Sequence, residues 1–312
     1  MAKQWLAVRF GGPEALELVD VDVPSPQAGE VVVDVRAAGM NPADYKHIAA
    51  GQDPGLLPLS LGYEVAGVIS AVGSATEIAS GGGAVGDEVI AAQITGGYAT
   101  QVRVKAPDVF AKPAALSFGE ASGLILAGST AAELVSVTGV GGSDTVLVHG
   151  VSGAVGLSVL QQAKLLGARV IGTAGEASFD IVRRYGGEPV RYGDGLEQRV
   201  RELAGTITVA IDTVGTDEAV DVSLALLPDR QRIVTTAAFQ RASDDKFRLV
   251  GARNPESGPF RAKVRPHLID LAATGQLAVP VGRSFPFSEA PAALAMLMGR
   301  HPAGKLVLTV EP

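Results

Sequence analysis

Residues 149–156, HGVSGAVG, form a glycine-rich turn that limits this chain to a few folds. The apolar segment DTVLV before it is typical of a buried strand, and residues 154–167 follow with helical spacing that ends at a glycine. Strand, glycine turn and helix in this order bind phosphates in dinucleotide folds, because the turn brings backbone amides close to a pyrophosphate. The glycines lie at 150, 153 and 156, so Val151 stands where the G-x-G-x-x-G pattern has its first glycine.

The rest of the chain has two distinct patterns. Up to about residue 117, short apolar segments such as EVVVDVRAAG are separated by glycine and proline, which predicts a compact β-rich domain. Beyond that point strands alternate with helices, which predicts βαβ units on a parallel, doubly wound sheet. The final segment, KLVLTV, is a strand that returns to the first domain. We therefore predict an α/β fold with a β-rich catalytic domain at 1–117 and 258–312 and a dinucleotide-binding domain at 118–257.

Composition narrows the classes of function. The 312 residues carry a formal net charge of -7, which favours neither nucleic acid nor an anionic membrane surface as a partner. The chain has no cysteine, so disulfides, thiol nucleophiles and thiolate metal sites are excluded. The N-terminal residues lack the apolar core of a signal peptide, and the longest apolar stretch, 121–142, contains Glu133 and several glycines. We expect a cytoplasmic protein with no membrane segment.

The second strand of the predicted βαβ unit, RVIGTA at 169–174, indicates which dinucleotide binds. In NAD-binding folds an acidic residue near the end of this strand binds the adenosine ribose hydroxyls. Thr173, Ala174 and Gly175 stand there in this chain, and we interpret Glu176 as a solvated residue that opens the next helix. The missing acid leaves room for a 2′-phosphate, so NADPH is favoured over NADH.

A series of short motifs follows one order along nearly the whole chain. They are GMNPADYKHIAAG (39–51), LGYEVAGVISAVGS (61–74), GDEVIA (86–91), GGYA (96–99), GSTAAEL (128–134), VLVHGVSGAVG (146–156), IDTVG (211–215) and GKLVL (304–308). In this order they resemble the medium-chain dehydrogenase/reductase superfamily, specifically its zinc-free quinone oxidoreductase, or zeta-crystallin-like, branch. The resemblance implies a GroES-like catalytic domain and a Rossmann-type cofactor domain, with a glycine loop in which a small residue often replaces the first glycine.

The resemblance also implies which residues bind NADPH. They are Asn41, Thr130, Ser152, Gly153, Ala154, Val155, Thr173, Ala174, Ser178, Tyr192, Val214, Thr236 and Ala237. Phe179 stands where the branch often has a lysine for the 2′-phosphate, and Arg183 or Arg184 is the candidate replacement, so the strictness of the NADPH preference stays open. Lys305 is near a family position at the cofactor, with a surface role equally open. Relatives pair their subunits at the sheet edge that corresponds to 245–251, which implies a homodimer.

The same resemblance bears on the chemistry. Family alcohol dehydrogenases bind zinc through a cysteine and a histidine where this chain has Asn41 and Tyr63, and Glu64 with four scattered histidines makes no usual three-ligand site. Hydride transfer without a metal needs an electrophilic acceptor, such as a quinone or an α,β-unsaturated carbonyl. The resemblance assigns the reaction to Asn41, Asp44, Tyr45 and Tyr63. Asn41 would orient the nicotinamide or acceptor, and either tyrosine, or water, would donate the proton.

Other interpretations stay open. Asn41 and Asp44 also suit a turn that caps a helix, and both tyrosines suit half-buried packing positions. An enoyl-thioester reductase shares the fold, but the tyrosine that such enzymes carry in this region is absent from AGQDPGLL at 50–57. An NADPH-binding protein without turnover is a third possibility, and the sequence does not identify the physiological electron acceptor.

Overall fold

The computed structural model describes residues 1–251 and 254–311 of the chain. The strands in this range are β1 (Ala2–Ala7), β2 (Leu16–Val21), β3 (Glu30–Gly39), β4 (Leu59–Ser60), β5 (Glu64–Val72), β6 (Glu88–Ala92), β7 (Gln101–Lys105), β8 (Val109–Ala111), β9 (Thr145–His149), β10 (Arg169–Ala174), β11 (Glu188–Arg191), β12 (Val209–Asp212), β13 (Ile233–Thr235), β14 (Arg248–Leu249), β15 (Val281–Pro286) and β16 (Lys305–Thr309). The α-helices in this range are α1 (Pro42–Ala50), α2 (Phe118–Ala121), α3 (Leu124–Val137), α4 (Ala154–Leu165), α5 (Phe179–Arg184), α6 (Leu196–Ala204), α7 (Asp217–Leu226), α8 (Phe239–Asp244), α9 (Ser257–Ala273) and α10 (Ala290–Met298).

The chain divides into two compact units, Met1–Leu126 with Val279–Pro312, and Ala127–Ala278. Both divisions fall later in the chain than the predicted 117/118 and 257/258. The reason at the second division is α9, which packs within the second unit: its Arg261 Nε donates to Glu133 Oε2 of α3 at 2.6 Å. Helix α9 therefore belongs with the parallel sheet, although the sequence assigned it to the β-rich domain.

The first unit is built from antiparallel strands, as the glycine- and proline-punctuated sequence predicts. Its main sheet has the order β15-β16-β3-β5-β6-β8, with β7 also paired to β3, and a second sheet has the order β2-β1-β4. The C-terminal strand β16 pairs antiparallel with β3, so the predicted return of the last segment to the first domain is confirmed. The buried core includes Val33 and Val35 of β3, Val65 of β5 and Leu308 of β16.

The second unit contains a six-stranded sheet in the order β11-β10-β9-β12-β13-β14, and every neighbouring pair is parallel. This confirms the doubly wound α/β prediction. The strand order reverses between β9 and β12, and ligands of such sheets bind at the carboxyl ends of the strands beside this reversal. The glycine turn at 150–156 lies at this place because it follows β9 directly.

Two local predictions need correction. The sequence predicts one helix from Ser117 onward, whereas the structure has α2 and α3, separated at Ser122 and Gly123. The spacing of Ser117 and Glu120 predicts a capping box, and this is confirmed, since the Ser117 amide donates to Glu120 at 2.9 Å. The segment QRIVTTAAF at 231–239 predicts one strand from its sequence, but β13 ends at Thr235 because the Thr235 hydroxyl accepts from the two amides at 237 and 238 and turns the chain. Across the described ranges, no helix has the length and apolar character needed to cross a membrane.

Candidate active site and cofactor-binding loop

The glycine loop after β9 forms a backbone cradle. Gly150 has φ +74°, a left-handed conformation that favours glycine, and its amide donates to Thr173 Oγ1 at 3.0 Å. A Cβ on Gly156 would stand 2.2 Å from the Gly150 carbonyl oxygen, so this position tolerates no side chain. Gly153 is the N-cap of α4 and makes no side-chain capping bond, which leaves the first amides of the helix without an internal partner. Those amides suit a pyrophosphate.

Val151 does not obstruct this cradle. Its side chain is fully buried in the apolar core of the second unit. It occupies the space beside Gly172 of β10, where a Cβ would come within 2.4 Å of the valine. The Val151 side chain therefore points into the core, where the absence of a side chain on Gly172 of the neighbouring strand leaves room for it. The loop residues Ser152, Gly153, Ala154 and Val155 remain half-buried and accessible.

The other predicted cofactor residues of the second unit lie along the same edge of the sheet. Thr173 and Ala174 end β10, Ser178 follows it, Tyr192 follows β11, Val214 follows β12, and Thr236 and Ala237 follow β13. Thr173 is buried and accepts from the Gly150 amide, whereas Val214 and Tyr192 are exposed. Thr130 is buried on α3. The parallel sheet thus brings residues from five separate segments to the edge formed by the carboxyl ends of its strands. A bound dinucleotide requires this arrangement.

Two buried polar residues support this edge and were not selected from the sequence. Asp212 at the end of β12 accepts from the Val214 and Gly215 amides at 2.9 Å each, and from Thr235 Oγ1 at 2.7 Å. His149 at the end of β9 shares a hydrogen bond of 3.1 Å with Ser223 Oγ. Burial lowers the pKa of His149 to about 4. An acidic residue three positions before a glycine at the end of a strand is the signal that identifies Asp212.

In the first unit, Asn41 lies in a buried ionic cluster with Glu64 and Lys305. The Lys305 ammonium is 2.6 Å from Glu64 Oε1 and 2.7 Å from Asn41 Oδ1. Asn41 Nδ2 donates to Glu64 Oε1 at 3.1 Å and to the Gly39 carbonyl at 3.2 Å. The second Glu64 oxygen accepts from the Leu126 amide at 3.0 Å. The surface role considered for Lys305 is therefore wrong, since its side chain is 2% exposed.

Asp44 is fully buried beside this cluster and organises the start of α1. It accepts from the Asn41 amide at 2.7 Å, the Tyr98 hydroxyl at 2.8 Å and the Gly62 amide at 3.2 Å. Burial raises the pKa of Asp44 to about 6, against the opposing effect of these donors and of Lys305. Asp44 thus has the capping role that the sequence left open, and Tyr98 is a partner that the sequence did not identify.

Of the two candidate tyrosines, Tyr63 presents a hydroxyl with a polar partner. The hydroxyl forms a short hydrogen bond with Nδ1 of His47, an exposed residue of α1, and the two rings meet edge to face. Burial, and secondarily the nearby Asp44 carboxylate, raise the pKa of Tyr63 to about 12, so the phenol keeps its proton at neutral pH. Tyr45 is a half-buried residue that packs against the apolar core of this unit.

The side chains at the positions of the family's zinc ligands do not fit a zinc ion. Asn41 has both of its amide atoms engaged, and Tyr63 offers a protonated phenol. The Glu64 carboxylate faces the Lys305 ammonium, which would repel a dication at this place. Nowhere in residues 1–251 and 254–311 do three histidine, cysteine or acidic side chains come together as a metal would need.

Two families of known proteins match the chain, each over one part of it. Residues 27–138 match the alcohol dehydrogenase GroES-like domain, and residues 187–308 match the domain described as zinc-binding dehydrogenase. Together with the antiparallel first unit and the parallel sheet of the second, these matches define the class of protein. The chain is a member of the medium-chain dehydrogenase/reductase superfamily.

Individual relatives narrow this class. A quinone oxidoreductase of Salmonella typhimurium is 36% identical over 217 residues, which are 67% of this chain and 65% of that protein. The quinone oxidoreductase of Mus musculus is 33% identical over 236 residues, 72% of this chain and 70% of that protein. The chain belongs to the quinone oxidoreductase family, and it spans just under two thirds of the length of the Salmonella relative.

The chain is also similar to two solved dehydrogenase or reductase structures and to part of a polyketide synthase. The Escherichia coli quinone oxidoreductase, solved in complex with NADPH, has a TM-score of 0.85 at 27% identity, over 98% of this chain and 99% of that one. An NAD-dependent alcohol dehydrogenase has a TM-score of 0.86 at 28% identity, over 99% and 100%. A polyketide synthase of Streptomyces halstedii is 31% identical over 299 residues, 92% of this chain and 5% of that protein.

Proposed function

We propose that this protein is an oxidoreductase that transfers hydride from NADPH to a quinone or an α,β-unsaturated carbonyl without a metal ion. The observation that carries the proposal is the buried cluster in which Asn41, at the position of one of the family's zinc ligands, is hydrogen-bonded to both members of the Glu64–Lys305 ion pair. An acceptor at such a site has no Lewis acid to polarise it. It must therefore be electrophilic through its own conjugation.

The second unit supplies the support for a dinucleotide. The amides at the start of α4 would hold the pyrophosphate, with Ser152, Gly153, Ala154 and Val155 as the loop around it. Thr173 fixes the loop from the neighbouring strand, and Asp212 fixes the backbone at Val214. NADPH, when bound, supplies a hydride from its nicotinamide ring. The E. coli quinone oxidoreductase solved with NADPH supports this choice of cofactor.

The first unit supplies polar groups for the acceptor. The Tyr63 phenol, protonated at neutral pH, would donate a hydrogen bond and then a proton to the oxygen of the reduced acceptor. His47 connects this hydroxyl with solvent, because it bonds to Tyr63 and is itself exposed. Lys305 and Glu64 hold the Asn41 amide in one orientation, and Asp44 fixes the backbone that carries it. We propose Tyr63, rather than Tyr45, as the donor.

The proposal is tested by fluorescence titration of the protein with NADPH and NADH, followed by turnover assays. The acceptors are 1,4-benzoquinone, 9,10-phenanthrenequinone and a simple enone. We expect NADPH to bind and its oxidation to depend on a quinone or an enone. A preference for the enone would assign the protein to alkenal reduction. Failure of both reduced cofactors to bind would contradict the proposal.

A second candidate is the reduction of an enoyl thioester. It is favoured by the polyketide synthase match, which covers 92% of this chain. The chemistry is the same conjugate hydride addition, so the same site would serve. Turnover with crotonyl-thioester substrates above that with quinones would favour this candidate. Binding of NADPH with no turnover of any acceptor would instead favour a binding protein without catalytic activity.

The predicted homodimer is also a proposal. Strand β14 is the last strand of the six-stranded sheet, and its outer edge is the one that a second copy would extend. Analytical ultracentrifugation tests this directly. A monomer at micromolar concentration would contradict it.

A further inference from the structure

The carboxyl ends of β10 and β11 carry an exposed pair of opposite charges. The two strands are parallel, with Ala174 aligned with Arg191, so both ends open at the same edge of the sheet. Arg191 Nη1 lies 3.4 Å from Glu176 Oε1. The arginine side chain is 68% exposed and the glutamate side chain 70%, so the pair is held weakly and its partners can be exchanged for a ligand.

This edge is where a dinucleotide fold distinguishes its two cofactors. An acidic residue near the end of the second strand binds the ribose hydroxyls of NAD, whereas a nearby arginine accommodates the 2′-phosphate of NADP. In this chain the second strand ends in Ala174, and Glu176 is the first carboxylate beyond it. The chain therefore has both the acidic residue and the arginine at this edge, and Glu176 and Arg191 pair with each other in this structure.

The other cations of this region are engaged differently. Arg183 pairs with Asp180 at 3.2 Å and lies over the Phe179 ring. Arg199 donates at 2.8 Å to the backbone carbonyl of Arg191 and also bonds to the carbonyls at 193 and 194. Arg199 thus fixes the turn that presents Arg191. Arg184 lies over the Tyr185 ring. The Arg191 guanidinium contacts Glu176, two residues beyond the end of β10.

Tyr192 completes the surroundings of the pair. It is 44% exposed, and its hydroxyl lies 3.5 Å from where a Cβ on Gly175 would be. The phenol and the guanidinium therefore approach the same short segment after β10, from consecutive residues of the chain. A phosphate bound there would receive a charge-assisted, two-pronged contact from the arginine, with a hydroxyl donor close by.

We propose that Arg191 is the residue that binds the 2′-phosphate of NADPH, and that Glu176 competes with the phosphate for it. This inference rests on the proposed function, since it requires a dinucleotide on the second unit. Phosphate binding replaces one anion by another on the guanidinium, and the displaced Glu176 carboxylate remains close enough to repel the phosphate. Glu176 thereby limits the preference for NADPH and offers an acceptor to the free ribose hydroxyls of NADH.

The test uses the full chain and two fragments of the cofactor, 2′,5′-ADP and 5′-AMP, measured by isothermal titration calorimetry. The fragments lack nicotinamide, so the result does not depend on catalysis. We expect Arg191→Gln to weaken the binding of 2′,5′-ADP by about tenfold or more, because one charge-assisted contact is lost. The affinity for 5′-AMP should stay within about twofold of that of the unmodified protein. Arg191→Lys should restore part of the loss, since it keeps the charge but not the fork.

Two further variants sharpen the test. Glu176→Gln should strengthen the binding of 2′,5′-ADP by about twofold to fivefold, because it removes a nearby negative charge at an exposed site. Arg183→Gln is the matched control, and it should change the binding of neither fragment by more than about twofold, because the Arg183 guanidinium lies over the Phe179 ring. Thermal unfolding of each variant verifies that the fold is intact.

Three results would overturn the inference. Equal weakening of both fragments by Arg191→Gln would make the arginine a structural residue, and no weakening would leave it without a role. A selective loss in Arg183→Gln would assign the phosphate to that cation instead. In these cases NADPH and NADH still bind and the proposed function stands. If neither cofactor nor fragment binds the unmodified protein, the inference and the proposed function fail together.

Discussion

The two units build their polar sites in opposite ways. In the second unit the cradle consists of backbone amides and glycines from one continuous segment, and no ionised side chain is needed within it. In the first unit the site consists of a buried ion pair, Glu64 and Lys305, and the neutral amide of Asn41 that bonds to both. The backbone cradle requires no burial of charge, and its amides suit any pyrophosphate. The ion pair is costly to bury, and it is stable only while every partner is present.

The largest effect should follow from removing one member of the buried ion pair. Lys305→Met leaves the Glu64 carboxylate uncompensated at a position with no exposure to solvent. We expect the free energy of unfolding, measured by urea denaturation, to fall by about 3–5 kcal/mol. The matched control is Arg201→Gln, which breaks the exposed pair with Glu197 and should cost no more than about 0.5 kcal/mol. Similar losses in both variants would contradict the distinction between the two kinds of site.

The two units also differ in how their stability should depend on pH. Asp44 in the first unit and His149 in the second are both buried, and burial shifts their pKa values in opposite directions. The pKa of Asp44 is raised from 3.8 to about 6, so its stabilising contribution is present at low pH and is lost as pH rises through about 6. The pKa of His149 is lowered from 6.5 to about 4, so its contribution is present above pH 6.5 and is lost as pH falls toward 4. The contribution of Asp44 amounts to about 3 kcal/mol, and that of His149 has the opposite dependence on pH.

These opposite slopes are measurable by urea denaturation between pH 4.5 and 7.5. The stability of the unmodified protein relative to Asp44→Asn should decrease as pH rises over this range. Its stability relative to His149→Gln should increase over the same range. If either difference is independent of pH, the corresponding residue does not titrate as its burial requires.

The cradle is tested by adding one methyl group. Gly156→Ala places a Cβ 2.2 Å from the Gly150 carbonyl oxygen and 2.7 Å from the Val151 Cα, so the loop must move. We expect the affinity for NADPH to fall by about tenfold to a hundredfold, as amide contacts to the anion are lost. Gly258→Ala on α9 has nothing within 4 Å and serves as the control, with unchanged affinity. An unchanged Kd in Gly156→Ala would mean that the loop does not hold the pyrophosphate.

The smallest expected effect is that of the Tyr63 hydroxyl. Tyr63→Phe should lower kcat by about tenfold, because water can partly replace a proton donor that is only half-buried. The Kd for NADPH should not change. Tyr45→Phe, at a position that packs against the core, should leave kcat near that of the unmodified protein. Equal kcat values in the two variants would assign the proton to water.

The difference between the two sites also explains what the sequence could predict. The cradle lies within one segment, so the order of strand, glycines and helix is enough to locate it, and the parallel sheet then places Thr173 and Val214 beside it. What the sequence could not settle was Val151, because its accommodation depends on Gly172 of another strand.

The ionic cluster was predicted only in part. Asn41 and Glu64 follow from short motifs, but the local pattern around Lys305 is compatible with an exposed residue as well as a buried one. The space for the lysine is made by Gly39 and Gly123, where a Cβ would come within 3.0 and 2.8 Å of its side chain. The contact between Glu64 and Lys305, 241 positions apart in the chain, is a property of the sheet, since β3 pairs with β16 on one side and with β5 on the other.

We propose that the reaction needs no metal ion, because the Lys305 ammonium beside Glu64 would repel a dication at this place. The most direct measurement combines NADPH oxidation by 9,10-phenanthrenequinone with the metal content of the same protein sample, before and after treatment with a chelator. We expect the same kcat in both samples, with no stoichiometric zinc in either. Loss of turnover on chelation, with recovery on adding zinc, would contradict this proposal.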